Sequence, residues 1–218
     1  MEADLPFAHS DELPSSIPAP ANPIPHTLVN TRPLHNTPFV APYVPVNPEV
    51  AGAALQFAGV GASDVLVDLG CGDARVLTQA LSDHPAPPAR CVGVELDPFL
   101  AEYIRSNHGP RLADGRLVLL EQDMFKVDLE SLGATVMVLY LLPEGLEKLK
   151  PMIGEWLCGS AAAAAAAAGA PRRLVTITYT FPGWDPVDGR QASKTGSGFM
   201  GGAAGMHWLF RYEAKSVR

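Results

Sequence analysis

The sequence predicts an α/β fold: a doubly wound, mostly parallel sheet with an antiparallel C-terminal strand. Three observations carry that prediction. An apolar run over residues 65–69 ends in Gly70-Cys71-Gly72 and leads directly into a helical pattern over 73–81, the strand, glycine turn and helix that form the ligand corner of such sheets. Further short apolar runs over 91–96, 116–121, 134–142 and 172–181 are separated by helix-length segments or loops. Carboxylates stand at or just after the ends of the first three runs, at Asp68, Glu95 and Asp123, where a doubly wound sheet binds its ligands.

In chain order, residues 1–40 are rich in proline and read as an extended or disordered arm, with the domain proper spanning 41–218. Composition favours a passive tail, and the functional alternative is that its later part, 37–43, packs over a ligand. Asn47-Pro48-Glu49 supplies a cap, an N1 proline and a first-turn acid for a helix from about 48 to 59. Asp73 suits a cap or first-turn acid for the helix after the glycine turn. The proline-rich stretch 84–90 is a loop. It stretches the interval between Asp68 and Glu95 to 27 residues. The next helix, over 99–107, ends at His108-Gly109-Pro110. Another begins at Pro143, with a break expected at Pro151. The alanine run 161–168 has glycine on both flanks and reads as a surface loop. Residues 187–205 are glycine-rich and polar, a mobile loop by composition, and only the segment around 185–191 leaves room for a sixth strand. Residues 206–213 form the last strand.

Composition removes several functional classes. The net charge of −7 disfavours general nucleic-acid binding. Cys71, Cys91 and Cys158 have neither disulfide-framework nor zinc spacing, so no metal is expected. No run is long and apolar enough to span a membrane. The acidic start, Met1-Glu-Ala-Asp-Leu-Pro, matches neither a signal peptide nor an Arg-rich transit peptide, so a cytoplasmic location is the expectation.

The glycine turn itself narrows the ligand. Arg75 stands where the dinucleotide fingerprint needs its third glycine, which argues against a pyrophosphate and a nicotinamide cofactor. Asp68 would repel phosphate but suit a cationic ligand. S-adenosylmethionine (SAM), with its sulfonium and α-ammonium, is such a ligand. Glu95 can accept two hydrogen bonds from a ribose diol.

Asp68-Leu-Gly70-Cys-Gly72-Asp-Ala74 resembles the first motif of class I, seven-strand, Rossmann-like SAM-dependent methyltransferases, with Ala74 in place of the last glycine. Alanine fits there without strain only if its φ is negative. The resemblance implies SAM contacts from Asp68, Gly70 and Gly72, from Glu95 with Leu96 at the ribose, and from Asp123 with Met124 at the adenine. Tyr43-Val-Pro45 ahead of the first helix, with Phe181-Pro-Gly-Trp184-Asp-Pro186, is similar to the small protein-lysine methyltransferases of the ATP-synthase c-subunit and adenine nucleotide translocase type. In that branch the Tyr-Val-Pro segment folds over SAM. The resemblance thus implies a protein-lysine N-methyltransferase with Tyr43 on the donor, and Tyr140 and Trp184 as candidates for the acceptor slot. Tyr140 can equally be a core aromatic and Trp184 a plug of the sheet end. The resembling eukaryotic enzymes are mitochondrial. Residues 139–143 lack the Asn/Asp-Pro-Pro-aromatic signature of base and amide methyltransferases. Methylation of a small molecule or RNA on the same fold, and a non-catalytic partner subunit, stand as alternatives.

Overall fold

The computed structural model describes residues 43–193 and 207–217. The proline-rich arm and most of the glycine-rich segment lie outside them. Seven strands form one sheet: β1 (Val65–Leu69), β2 (Arg90–Glu95), β3 (Leu117–Glu121), β4 (Val136–Leu139), β5 (Arg173–Ile177), β6 (Asp188–Ser193) and β7 (His207–Tyr212). Their spatial order is β3-β2-β1-β4-β5-β7-β6. The first five run parallel, and β7 is antiparallel to both β5 and β6. The expected mostly parallel sheet is present. Its last strand inserts beside β5, and β6 takes the edge in the segment that had room for it, so the first part of the expected loop is strand.

Helices cover both faces. On one lie α1 (Pro48–Ala58), α2 (Arg75–Ser82) and the Ile104 side of α3 (Pro98–Ala113), burying Leu55, Leu77 and Ile104 against Leu66, Val138 and Ile177. On the other lies α4 (Pro143–Cys158), with Leu146, Ile153 and Trp156 against Val67, Met137 and Leu174. Asn47 caps α1 as its sequence requires, its Oδ1 accepting from Glu49 N at 2.8 Å.

Three local expectations need correction. The helix expected to end at 107 continues to Ala113 through a kink at His108 (φ −124°, ψ 21°), after which Pro110 sits at the start of a fresh turn, where its missing N–H costs nothing. The alanine run is a helix, α5 (Ser160–Ala167), because alanine's propensity prevails once the chain leaves α4 at Gly159. α4 passes through Pro151 unbroken.

At the amino end of the sheet, Arg173 and Asp64 tie β5 to the α1–β1 connection. The guanidinium donates to Asp64 Oδ2 at 2.5 Å and to the Ala58 and Gly59 carbonyls at 2.7 Å each. Asp64 also accepts from Thr135 Oγ1 at 2.8 Å and Gly61 N at 2.8 Å. Both oxygens of this buried carboxylate thus have partners, one of them a cation, as a charge out of water requires.

Candidate active site

The opposite rim of the sheet, at the carboxyl ends of the parallel strands, holds the candidate residues. β1 pairs with β4 over only two residues, Leu66 and Val67, whereas it pairs with β2 along its whole length. The sheet therefore splits above Val67, between the strands where its winding reverses, and Asp68 stands at the mouth of the split.

Gly70 and Gly72 have φ of 79° and 61°, which a glycine adopts without strain. Ala74 follows at φ 62°, so the substitution for the motif's last glycine does carry backbone strain of about 1–2 kcal/mol. The α2 N-terminus is served from one residue earlier, by Asp73, whose Oδ1 accepts from Arg75 N at 3.1 Å.

Glu95 is 8% exposed and its carboxylate spans the gap between β2 and the glycine turn. Oε2 accepts from Gly72 N at 2.8 Å, and Oε1 from Leu96 N at 2.9 Å and Asp97 N at 2.8 Å. Three of about four lone-pair directions are thereby filled, and the open one lies on Oε2, facing the turn side. Asp97 caps α3, its Oδ1 accepting from Phe99 N at 2.9 Å. Asp68, 5% exposed, shares this space with Glu95 and Asp73. Burial first, then those two negative neighbours, push its carboxyl up to about 8. Arg75 pairs with Asp73, whereas the charged neighbours of Asp68 are both carboxylates, an arrangement that suits a cation.

Tyr43 covers the turn. A Cβ placed on Gly72 would lie 2.5 Å from Tyr43 Cε2, so the ring rests directly on the glycine. Arg75 holds it there: the guanidinium grips Asp73 at 2.6 Å, donates to the Val46 carbonyl at 3.0 Å and reaches the Tyr43 hydroxyl at 3.4 Å. On the far side, Met124 and Leu141 both approach Gly70. Asp123 initiates a short 3-10 turn, Met124–Lys126, its Oδ1 accepting from Phe125 N at 3.0 Å, which sets Met124 beside the glycine turn. Tyr43, Asp68, Gly70, Gly72, Glu95, Leu96, Asp123 and Met124 thus share one rim.

Tyr140 directly follows β4 on that rim, two strands from β2. Trp184 does not belong with it. After β5 the chain turns back over the α4 face, where Phe181 N donates to the Tyr212 hydroxyl at 3.1 Å. There Trp184, 6% exposed, stacks on Phe181 at 4.9 Å and lies against Gly154. Tyr212 pairs with Leu174 near the start of β5, so Trp184 is a core aromatic toward the other end of the sheet. Arg75 escaped sequence reasoning as a site residue. Its only signal was a long cation at a position where other glycine turns need no side chain.

A family model described as the ANTKMT methyltransferase domain matches residues 68–188, from the first rim carboxylate to the start of β6. The chain belongs to this methyltransferase family. A protein-lysine N-methyltransferase from Saccharolobus islandicus is 30% identical to it over 147 residues, covering 67% of this chain and 82% of that protein. The structure of an RNA methyltransferase from Salinibacter ruber, in complex with S-adenosyl-L-homocysteine, matches with a TM-score of 0.59 at 29% identity, over 78% of this chain and 92% of the other. Sp1610 of Streptococcus pneumoniae shares the fold, with a TM-score of 0.54 at 10% identity over 79% of this chain and 71% of that one. The methyltransferase uses SAM as its methyl donor. Among the described residues no helix is long and apolar enough to cross a membrane, and no cluster of His, Cys, Asp and Glu is arranged to hold a metal.

Proposed function

We propose that this methyltransferase transfers methyl groups to lysine side chains of a protein substrate. The observation that carries the reading is the 30% identity with the Saccharolobus protein-lysine N-methyltransferase, with a family match that spans the rim residues from Asp68 to Met124. SAM supplies a methyl group on a sulfonium, already a good leaving group.

The chain's own residues have three tasks. Asp68, with Glu95 and Asp73 nearby, offers negative charge to a cationic donor. Glu95 offers a lone pair to a ribose hydroxyl, and Met124 with Asp123 borders the position of the base. Tyr43, fixed by Arg75, covers the glycine turn and excludes water, so that much of the rate comes from positioning. An acceptor lysine has an unperturbed pKa near 10.4 and must lose a proton before it can attack. A partly buried, aromatic slot beside a sulfonium lowers that value, and Tyr140 stands where such a slot would open.

An RNA acceptor is the second reading, favoured by the Salinibacter relative. The net charge of −7 opposes it, since a phosphate backbone is held by positive surface. The experiment is incubation of purified protein with methyl-labelled SAM and a cell extract, followed by separation of protein from RNA and amino-acid analysis. Label in methyl-lysine supports the proposal, and label in RNA contradicts it.

A further inference from the structure

The same rim holds a second cluster that donor binding does not use. Tyr140 follows β4, Thr178 follows β5, and His207 opens β7, which is antiparallel and so begins at the rim where its neighbours end. Thr178 has φ 72°, the left-handed region that a β-branched side chain resists. Such strain persists only where the surroundings impose it, and it gathers at functional sites. Here Thr178 N donates to the Trp208 carbonyl at 2.7 Å, and its Oγ1 lies 2.7 Å from His207 Nδ1. The same hydroxyl reaches the Tyr140 phenol. The Tyr140 and His207 rings meet edge to face at 6.1 Å.

The cluster has few hydrogens to distribute. The Thr178 hydroxyl has one hydrogen to share between the Tyr140 phenol and His207 Nδ1. With that hydrogen on the phenol, Oγ1 accepts from His207 Nδ1–H. That is the tautomer with a lone pair on Nε2, and it is the one a base at this position requires. Burial lowers the imidazole's pKa, so the ring is neutral near pH 7. Tyr140 beside it, and Tyr179 beside Tyr140, are the titratable groups of the cluster. Leu141, the residue after Tyr140, touches Gly70, so the slot adjoins the donor corner. β7 lies two strands from β4, about 10 Å at normal strand spacing, a gap that a side chain from each strand narrows.

Building on the lysine reading, we propose that His207, oriented by Thr178 and faced by Tyr140, is the catalytic base of the acceptor slot. The lysine ammonium gives one proton to His207 Nε2. The freed nitrogen lone pair forms the new N–C bond to the donor methyl as the S–C bond breaks, and that electron pair stays on sulfur. The products are a methylated ammonium, S-adenosylhomocysteine (SAH) and an imidazolium, whose partly exposed ring passes its proton to water.

Sinefungin tests this without an identified acceptor. It carries an amine on carbon where SAM has its methylsulfonium, so its ammonium projects toward the acceptor slot. SAH has nothing there. In titration calorimetry the wild type is expected to bind sinefungin about tenfold or more tighter than SAH at pH 8, the margin of a charge-assisted hydrogen bond. The margin should shrink as acid protonates the imidazole. His207→Ala should lose the margin with SAH affinity unchanged. Thr178→Gly relieves the backbone, so it should melt no lower than wild type yet bind sinefungin with a reduced margin, while Thr178→Ser keeps it. An undiminished margin in His207→Ala, or no margin in the wild type, overturns the proposal. Failure of the lysine reading shows elsewhere, as label in RNA rather than methyl-lysine.

Discussion

Tyr43 rests on Gly72 so closely that no side chain fits between them: a Cβ at 72 would lie 2.5 Å from the ring. The cover over the donor corner and the turn beneath it are therefore one unit, held by Arg75. Gly72→Ala must displace Tyr43 and also adopt φ 61°. It should cost about 1–2 kcal/mol of stability from the backbone alone and weaken SAM binding at least tenfold. Tyr43→Ala should weaken SAM binding with little loss of stability. Thermal melts and calorimetry together separate the two effects.

With SAM seated at Asp68 as proposed, donor binding is expected to be proton-linked. Its carboxyl titrates at about 8 in the folded protein against 3.8 in the unfolded chain. Between those values the folded state holds more protons, so this group's contribution to stability falls as pH rises from about 4 to 8. Asp68→Asn removes that slope and should melt above wild type at pH 8 without ligand, while binding SAM poorly. A cationic ligand draws the carboxyl into its charged form and expels the proton. At pH 7 the heat of SAM binding to wild type should therefore depend on the buffer's ionisation enthalpy. A buffer-independent heat contradicts this.

Gly93 lies in the middle of β2 under the glycine turn. A Cβ there would meet Cys71 Sγ at 2.7 Å and Leu77 Cδ1 at 3.0 Å. Gly93→Ala should push the turn outward, losing about 1–3 kcal/mol to overpacking, and weaken SAM binding although residue 93 touches no ligand. Unchanged affinity would show that the turn does not depend on this packing.

Asp64 provides a contrast at the far end of the sheet. Removing it leaves Arg173 without its buried partner, so Asp64→Ala should cost about 3–5 kcal/mol in denaturant unfolding. SAM affinity of the folded fraction should stay at the wild-type value.

The strand-end carboxylates were legible because the fold's geometry and the sequence pattern agree: an apolar run that ends in an acid marks both a strand and its ligand end. Helix α1 was legible from Asn47 and Pro48, whose roles are local. Trp184 was not, because the turn of the chain after Phe181 depends on a tertiary bond to Tyr212 that no local pattern announces. Thr178 and His207 were hidden for a similar reason. One sits among alternating threonines of an ordinary strand, and the other starts a strand 29 residues later. Only the antiparallel insertion of β7 beside β5 joins them. The strain at Ala74 was foreseen only as a condition, since sequence does not print a dihedral.

The most direct test of the rim as a donor seat is SAM titration of wild type beside Glu95→Gln, with melting curves as the control for folding. The account predicts saturable binding by wild type, and a dissociation constant raised at least tenfold in a variant that still folds, because the ribose loses its charged acceptor. Equal affinity in the two proteins would contradict the placement of SAM at Glu95, and no binding by wild type would contradict the seat itself.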